Sequence, residues 1–343
     1  MTDHKLALVG FGSVGRAFVR LLQRQARAME HDYGITWRVV GIATRSLGIA
    51  IDHGGIDLTS AEHEVDNGGT LRDLNAGLDI ADTQAFIDVC DADILFENSS
   101  LNPYTGQPAL DHIRAALKLG MNVVTANKGP VVHGFSELRE LARSARVHFF
   151  FESTIMDGTP IFSTFREGLP VSKVLGFRGV LNSTTNAILS EMEQGMKFED
   201  ALLNTQQTGV AESDHTHDVE GWDAATKTAV LTTVLMDYPL TPQQVTREGI
   251  GNLTVDEMQA ARASGARIKL VCSAVEQDGC LRATVEPTML SMSDPLSQLN
   301  GTSSGLSLYL DTLKEVFIAG IDHGPEQTAY GLLSDFINIV RRD

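Results

Sequence analysis

Between residues 211 and 227 the chain concentrates acids, including Glu212, Asp214, Asp218, Glu220 and Asp223, and closes them with Lys227. Asp223 and Lys227 are four residues apart, so on a helix they project from one face, a single turn apart. Their neighbours Ala224, Ala225, Ala229, Val230 and Leu231 are apolar. An ammonium beside carboxylates on an apolar helix suits a proton-transfer group in a partly desolvated pocket. Taken alone, the pair reads more simply as an i,i+4 ion pair on a solvated face, which stabilises little. His215 and His217 beside Asp214 and Asp218 raise a metal reading, but the Cys and His spacing of a zinc site is absent.

The other end of the chain decides between these readings. Lys5 to Val9 is a short apolar run, followed by Gly10-Phe11-Gly12-Ser13-Val14-Gly15 and then by Ala17, Phe18, Val19, Leu21 and Leu22 at helical spacing. This is strand, glycine turn and helix, in the order of a dinucleotide site. Gly10 makes the tight turn, Gly12 admits a pyrophosphate close to the backbone, and Gly15 lets helix pack on strand. The N–H groups and dipole of the helix start then face the phosphates. A second strand, Trp37 to Ala43, ends in Thr44-Arg45-Ser46. An acid at that strand end would meet a ribose 2′-hydroxyl, whereas an Arg with small hydroxyl side chains suits a 2′-phosphate. Arg45 and Ser46 therefore favour NADP over NAD, with Arg45 as a solvated surface charge the simpler alternative.

The chain has 343 residues, 43% of them hydrophobic, enough for two domains with full cores. A net charge of −17 argues against nucleic acid or an anionic membrane as partner. Three cysteines, Cys90, Cys272 and Cys280, indicate neither a disulfide framework nor a zinc spacing. The amino terminus lacks a basic segment leading into an apolar one, and no apolar run reaches membrane-spanning length, so a soluble cytoplasmic protein is expected.

The elements that must position these groups alternate at first. Residues 92–97, 121–125 and 147–151 read as strands, and 107–119 and 135–145 as helices, which predicts a parallel sheet with helices on both faces. Ligands of such sheets bind beyond the carboxyl ends of the strands. Those ends carry Asn98-Ser99-Ser100, Ala126-Asn127-Lys128 and Glu152-Ser153-Thr154. After Gly158 the pattern changes. Residues 160–169 read as a helix, 173–181 as a strand, 187–192 as the start of a helix, and 267–274 with 281–286 as a hairpin through Asp278-Gly279. Residues 328–340 read as a last amphipathic helix. The fold class is α/β: an amino-terminal Rossmann-type parallel sheet over residues 1–150, with 310–343 packing back on it, and a second α+β substrate and dimerisation domain over 151–309.

Several ordered segments together resemble the homoserine dehydrogenase family. Besides the glycine turn they are Val123-Val124-Thr125-Ala126-Asn127-Lys128, the run from Gly179 through Asn182-Ser183-Thr184-Thr185-Asn186 to Leu189, and Ala211-Glu212 through Lys227. Pro295-Leu296 with Gly301, and Gly324-Pro325 with Thr328-Ala329, echo its closing elements.

The resemblance implies reversible hydride transfer between a nicotinamide and C4 of L-homoserine or L-aspartate 4-semialdehyde. It makes Lys227 the proton donor and acceptor, and Lys128 a second group at the reacting oxygen. It assigns Glu212, Asp218 and Asp223, with Thr184 and Thr185, to the small substrate. It extends the cofactor contacts from residues 10–15, Arg45 and Ser46 to Asn98, Ser99, Ser100, Asn127, Lys128, Gly324 and Thr328. It also implies a homodimer and a monovalent cation, usually sodium, held by Glu152 and the carbonyls of Ile155, Asp157 and Thr159. Three departures touch these assignments: Asp157 adds a charge at the cation turn, Ser183 stands where glycine is usual, and Gly320-Ile321-Asp322-His323-Gly324 replaces a glycine-rich closing segment. A related dehydrogenase of another small hydroxy acid or amino alcohol is therefore the alternative, ahead of a non-catalytic NADP-binding sensor. An aldehyde dehydrogenase would need a nucleophilic cysteine at a strand end, where none lies. The chain ends soon after its last helix, which predicts no appended regulatory domain.

Overall fold

The computed structural model describes residues 2–77, 80–212, 214–277, 279–322 and 324–342. Asp278 of the expected hairpin turn, and His323 of the closing segment, lie outside the described residues. The chain divides into two compact units, Met1–Pro160 with Pro325–Asp343, and Ile161–Gly324.

The first unit runs β1 (Thr2–Val9), α1 (Ser13–Tyr33), β2 (Ile35–Ala43), β3 (Ile49–Ile51), α2 (Leu58–Asp66), α3 (Thr83–Val89), β4 (Ile94–Glu97), α4 (Ala109–Lys118), β5 (Asn122–Thr125), α5 (Lys128–Ala145) and β6 (Phe149–Phe150). Its sheet has the order β3-β2-β1-β4-β5-β6. All pairings are parallel except that of β3 with β2. The strand order reverses at β1, between β2 and β4, which is where an open α/β sheet forms its ligand crevice. Leu6, Ala7, Leu8 and Val9 are all buried, as a strand covered on both faces requires. On α1, Phe18, Val19, Leu21, Leu22 and Met29 form the buried stripe, and Gly34 ends the helix at φ +68°.

The second unit contains β7 (Val174–Val180), α6 (Ser183–Glu193), α7 (Phe198–Gln207), α8 (Thr216–Val219), α9 (Trp222–Leu235), β8 (Thr246–Arg247), α10 (Val255–Ala263), β9 (Ala266–Gln277), β10 (Cys280–Ser291), β11 (Ser304–Leu310) and β12 (Lys314–Gly320). Its sheet has the order β12-β11-β7-β9-β10-β8 and is antiparallel apart from the β8–β10 pair. The last helix, α11 (Pro325–Val340), belongs to the first unit.

The structure departs from expectation in several places. The return to the first unit begins at Pro325 rather than at 310, because 314–320 pairs with β11 as a strand. The helix expected over 160–169 is largely a π-helical turn, Thr164–Gly168. The helix expected from 135 starts at Lys128, because the Asn127 side chain accepts from Gly129 N–H and caps it.

Candidate active site

The glycine turn sits where β1 leaves the sheet. Gly10 N–H donates to Ala43 O at 2.8 Å and Asn98 N–H to Val9 O at 2.7 Å, so the ends of β2, β1 and β4 are tied together. Gly10 adopts φ +95°, and a Cβ there would lie 2.4 Å from Asn98 O. A Cβ on Gly15 would lie 2.7 Å from Gly10 O, so helix and turn touch backbone to backbone. Gly12 differs, since a Cβ there would meet nothing within 4 Å. Its missing side chain leaves open space, as a phosphate-binding turn requires.

That space is part of a cavity of about 630 Å³ lined by Gly10, Phe11, Gly12, Thr44, Arg45, Ser46, Asn98, Ser99, Ser100, Asp111 and His112, among others. A second cavity of about 820 Å³ shares Thr44, Arg45, Ser46, Leu47, Asp82 and Thr83 with it and adds Thr70 and Arg72. The residues present fit an extended dinucleotide: a helix start for the phosphates, and Arg45, Ser46 and Arg72 at one end. Arg72 was not apparent from the sequence. It lies in a 3-10 turn, Leu71–Leu74, whose short charged stretch gives no periodic signal. Ser13, Val14 and Gly15 form the first turn of α1 and do not line the cavity.

A hydrogen-bond chain runs from the end of β4 to Asn127, the residue before Lys128. Thr125 Oγ1 donates to Glu97 O at 2.6 Å and accepts from Asn127 N–H at 2.9 Å. Asn127 Nδ2 donates to Ser99 O at 3.1 Å, while its Oδ1 accepts from Gly129 N–H at 3.0 Å. Asn127 is thus buried behind the wall instead of lining it, and Lys128 is the first residue of α5.

In the second unit, Lys227 and Asp223 meet on α9 as their spacing predicts, with Nζ 3.1 Å from Oδ2 and both side chains more than four-fifths buried. Lys227 Nζ also donates to Leu181 O at 2.6 Å, just past the end of β7. Asn182 Nδ2 donates to Asp218 Oδ1 at 2.6 Å and to Asp223 Oδ2 at 2.9 Å. Asn182 Oδ1 caps α6 by accepting from Thr185 N–H at 2.8 Å. The amide holds two carboxylates together without neutralising either, so Asp218, Asp223 and Lys227 together carry one net negative charge. Asn182 was missed as a functional residue, although Asn before a helical run signals a cap.

Other assignments fall differently. Thr184 Oγ1 donates to Val210 O at 3.3 Å and Thr185 Oγ1 to Asn182 O at 3.1 Å. Both threonines are buried, so they shape the first turn of α6 while their hydroxyls bond to backbone. The Glu212 carboxylate is exposed and has no hydrogen bond or ion pair among the described residues. Trp222 lies half-buried, with the Arg247 guanidinium 3.8 Å from its ring centroid.

The turn expected to hold a cation also engages α11. Thr328 Oγ1 donates to Asp157 Oδ1 at 2.8 Å, and Glu152 N–H donates to Asp335 Oδ2 at 2.7 Å. Thr328 therefore ties helix to turn and does not line the cavity beside Gly12. Glu152 is 1% exposed and offers oxygen only, a donor type that fits a hard cation. No cluster of three or more His, Cys, Asp or Glu suited to a metal occurs among the described residues.

Comparison with known proteins identifies the family. The model for the homoserine dehydrogenase NAD binding domain matches residues 10–152, and that for homoserine dehydrogenase matches 160–337. The chain belongs to the homoserine dehydrogenase family. It is 38% identical over 340 residues to the NAD(+)-dependent homoserine dehydrogenase of Pseudomonas canavaninivorans, covering 99% of this chain and 97% of that one. To the homoserine dehydrogenase of Methanocaldococcus jannaschii it is 35% identical, covering 97% and 98%. Among solved structures, the homoserine dehydrogenase of Thiobacillus denitrificans matches at a TM-score of 0.83 and 28% identity, covering 99% of this chain and 74% of that one. As a member of the homoserine dehydrogenase family the chain is an oxidoreductase with an NAD-binding domain. No helix among the described residues is long and apolar enough to cross a membrane.

Proposed function

We propose that this chain interconverts L-homoserine and L-aspartate 4-semialdehyde, with Lys227 as the proton donor and acceptor. When bound, the nicotinamide supplies or accepts the hydride. Reducing an aldehyde also requires a proton on the developing alkoxide, and an ammonium both stabilises that charge and delivers the proton. The observation that carries the reading is the Lys227 ammonium, mostly buried beside Asp223 and Leu181 O. Asp218 and Asp223 receive the substrate's ammonium and hydroxyl, Glu212 adds negative potential from the loop before them, and Thr184 and Thr185 fix the turn that carries Asn182. Lys128, at the start of α5, assists at the reacting oxygen. The deciding measurement is nicotinamide absorbance with Lys227→Ala. Turnover with homoserine should fall by about 10²–10⁴-fold while cofactor binding persists. Full activity in that variant overturns the assignment. Turnover by the wild type on another small hydroxy acid or amino alcohol, with none on homoserine, would favour a relative of different substrate.

For the cofactor, Arg45 and Ser46 at the end of β2, with Arg72 on the same cavity, favour the 2′-phosphate of NADP. The name of the Pseudomonas relative supports NAD as the second reading. Comparing kcat/KM for the two cofactors separates them, and Arg45→Ala should lower the NADP value alone. Glu152 and the carbonyls of Ile155, Asp157 and Thr159 would hold a monovalent cation, which would stiffen the turn beside α11; activity after exchange from sodium into a bulky organic cation tests this. The open face of the second sheet, carrying Arg178, Ser273, Val275 and Thr284, supports a homodimer, with light scattering expected at twice 37.1 kDa. A cytoplasmic setting accords with three unpaired cysteines.

A further inference from the structure

We propose that His112 contacts the bound dinucleotide and that Glu97, buried behind it, is its positioning residue; this rests on the reading that the first unit's cavity holds the nucleotide. Glu97 ends β4, after Ile94-Leu95-Phe96, and is 0% exposed. Its Oε1 accepts from the Ser99 hydroxyl and lies 3.4 Å from His112 Nδ1. Its Oε2 is buried and has no partner among the described residues. A buried carboxylate with an orphan oxygen weakens a fold, and an apolar residue there would serve stability better. Glu97 is therefore explained by what it orients.

It orients two cavity-lining groups, Ser99 and His112. His112 lies near the start of α4, is 8% exposed, and shares the cavity wall with Gly10 and Gly12. At 3.4 Å the contact with Glu97 is long, and it sets the ring's orientation more than it binds tightly. A carboxylate at Nδ1 keeps the proton on that nitrogen, so Nε2 is the atom left to meet a ligand. With its lone pair, Nε2 accepts from a hydroxyl, and the hydroxyls of a dinucleotide are those of its riboses. Ser99 adds a second anchor, since its carbonyl accepts from Asn127 beside Lys128. Neither residue stands out in the sequence, because the two are fifteen apart and each reads as part of its own element.

The test is fluorescence titration of NADPH and NADH on the wild type and on Gly12→Val, His112→Phe, His112→Gln, Glu97→Gln and the double variant Glu97→Gln/His112→Phe, with thermal unfolding followed in parallel. A side chain on Gly12 enters open space, so Gly12→Val should fold normally and lose nucleotide binding. His112→Phe should raise Kd about tenfold. His112→Gln should raise it less, because an amide can supply the acceptor. Glu97→Gln should weaken binding in the wild type and add nothing to His112→Phe. In turnover the loss should fall on KM for the cofactor and spare KM for homoserine. His112→Phe binding within twofold of the wild type, while Gly12→Val binds nothing, overturns the His112 assignment and leaves the nucleotide site standing. Wild-type binding by Gly12→Val overturns the nucleotide site itself. An equal loss from Glu97→Gln with and without His112 overturns the positioning role. If His112→Phe fails to fold, wild-type Kd values in both His112→Gln and Glu97→Gln overturn the proposal.

Discussion

Asn182 bridges two members of the acidic cluster, Asp218 and Asp223. Its two amide hydrogens serve Asp218 and Asp223, and its oxygen caps α6, so each polar valence has a separate task. Replacing it by Asp keeps the cap and puts a third carboxylate where two donors stood. Asn182→Asp should therefore lower kcat/KM for homoserine at least tenfold and destabilise the fold by about 1–3 kcal/mol. Steady-state kinetics and urea unfolding read the two effects, and wild-type kinetics would remove Asn182 from the site. The pair it supports was legible in the sequence, because i,i+4 spacing on an apolar helix puts Lys227 against Asp223 whatever the tertiary fold. Asn182 was not, because its partners lie 36 and 41 residues away. The hydrogen bonds of Thr184 and Thr185 were not legible either, because Val210 O lies 26 residues from Thr184 and the turn that engages Thr185 forms only with the helix.

At the scale of elements, Lys269 on β9 joins α6 to the segment before β11. It is 1% exposed, and its Nζ donates to Asn186 Oδ1 at 2.9 Å and Leu299 O at 2.5 Å. Asn186 Nδ2 in turn donates to Gly301 O and Ser303 O. Burial pushes the ammonium down to about 8, against attraction from Glu193. The folded value lies below the unfolded one, so between pH 8 and about 10.5 the unfolded chain binds more protons and stability rises with pH. Below pH 8 the full burial penalty is present. Cys90 and Cys272, pushed up by burial to about 11 and about 12, act the opposite way above pH 9, where unfolded thiols ionise and folded ones do not. The lysine's part therefore appears as a difference: from pH 7.5 to 10, stability of the wild type relative to Lys269→Met should rise by up to about 3 kcal/mol. Urea midpoints for both proteins across that range measure it, and parallel curves would place the folded value near 10.5. Neither this latch nor β11 and β12 was foreseen. A lysine in a strand reads as solvated, and Lys314–Gly320, with every second residue exposed, offers no long apolar run. The glycine turn, β1 and α1 were legible because each carries its own local pattern, with turn, apolar run and helical stripe in immediate succession.

At the scale of the whole molecule, the first unit is completed by residues that follow the entire second unit in sequence. Leu332, Leu333, Phe336 and Ile339 of α11 join the core that contains Phe18, Leu22 and Phe96. The Phe336 ring stands edge-on to Phe96 at 6.2 Å between centroids. The amphipathic pattern of 328–340 announced a buried helix, but nothing local says which unit buries it, since that depends on contacts more than 200 residues away. Four large side chains buried at about 1.5–3 kcal/mol each contribute roughly as much as a whole domain's net stability of about 5–15 kcal/mol. The first unit should thus depend on α11 to fold, and the cavity beside Gly12 should depend on it equally, although among the described residues none of α11 lines that cavity. Phe336→Ala should destabilise the first unit by about 3–5 kcal/mol. Because the core it empties belongs to one unit, the variant should melt in two steps, with the earlier step shifted upward by NAD(P)H and the later step indifferent to it. Calorimetry with and without NAD(P)H checks this. A single transition moving as one with ligand would mean that the two units unfold together, and an unshifted melt would deny α11 its place in the core.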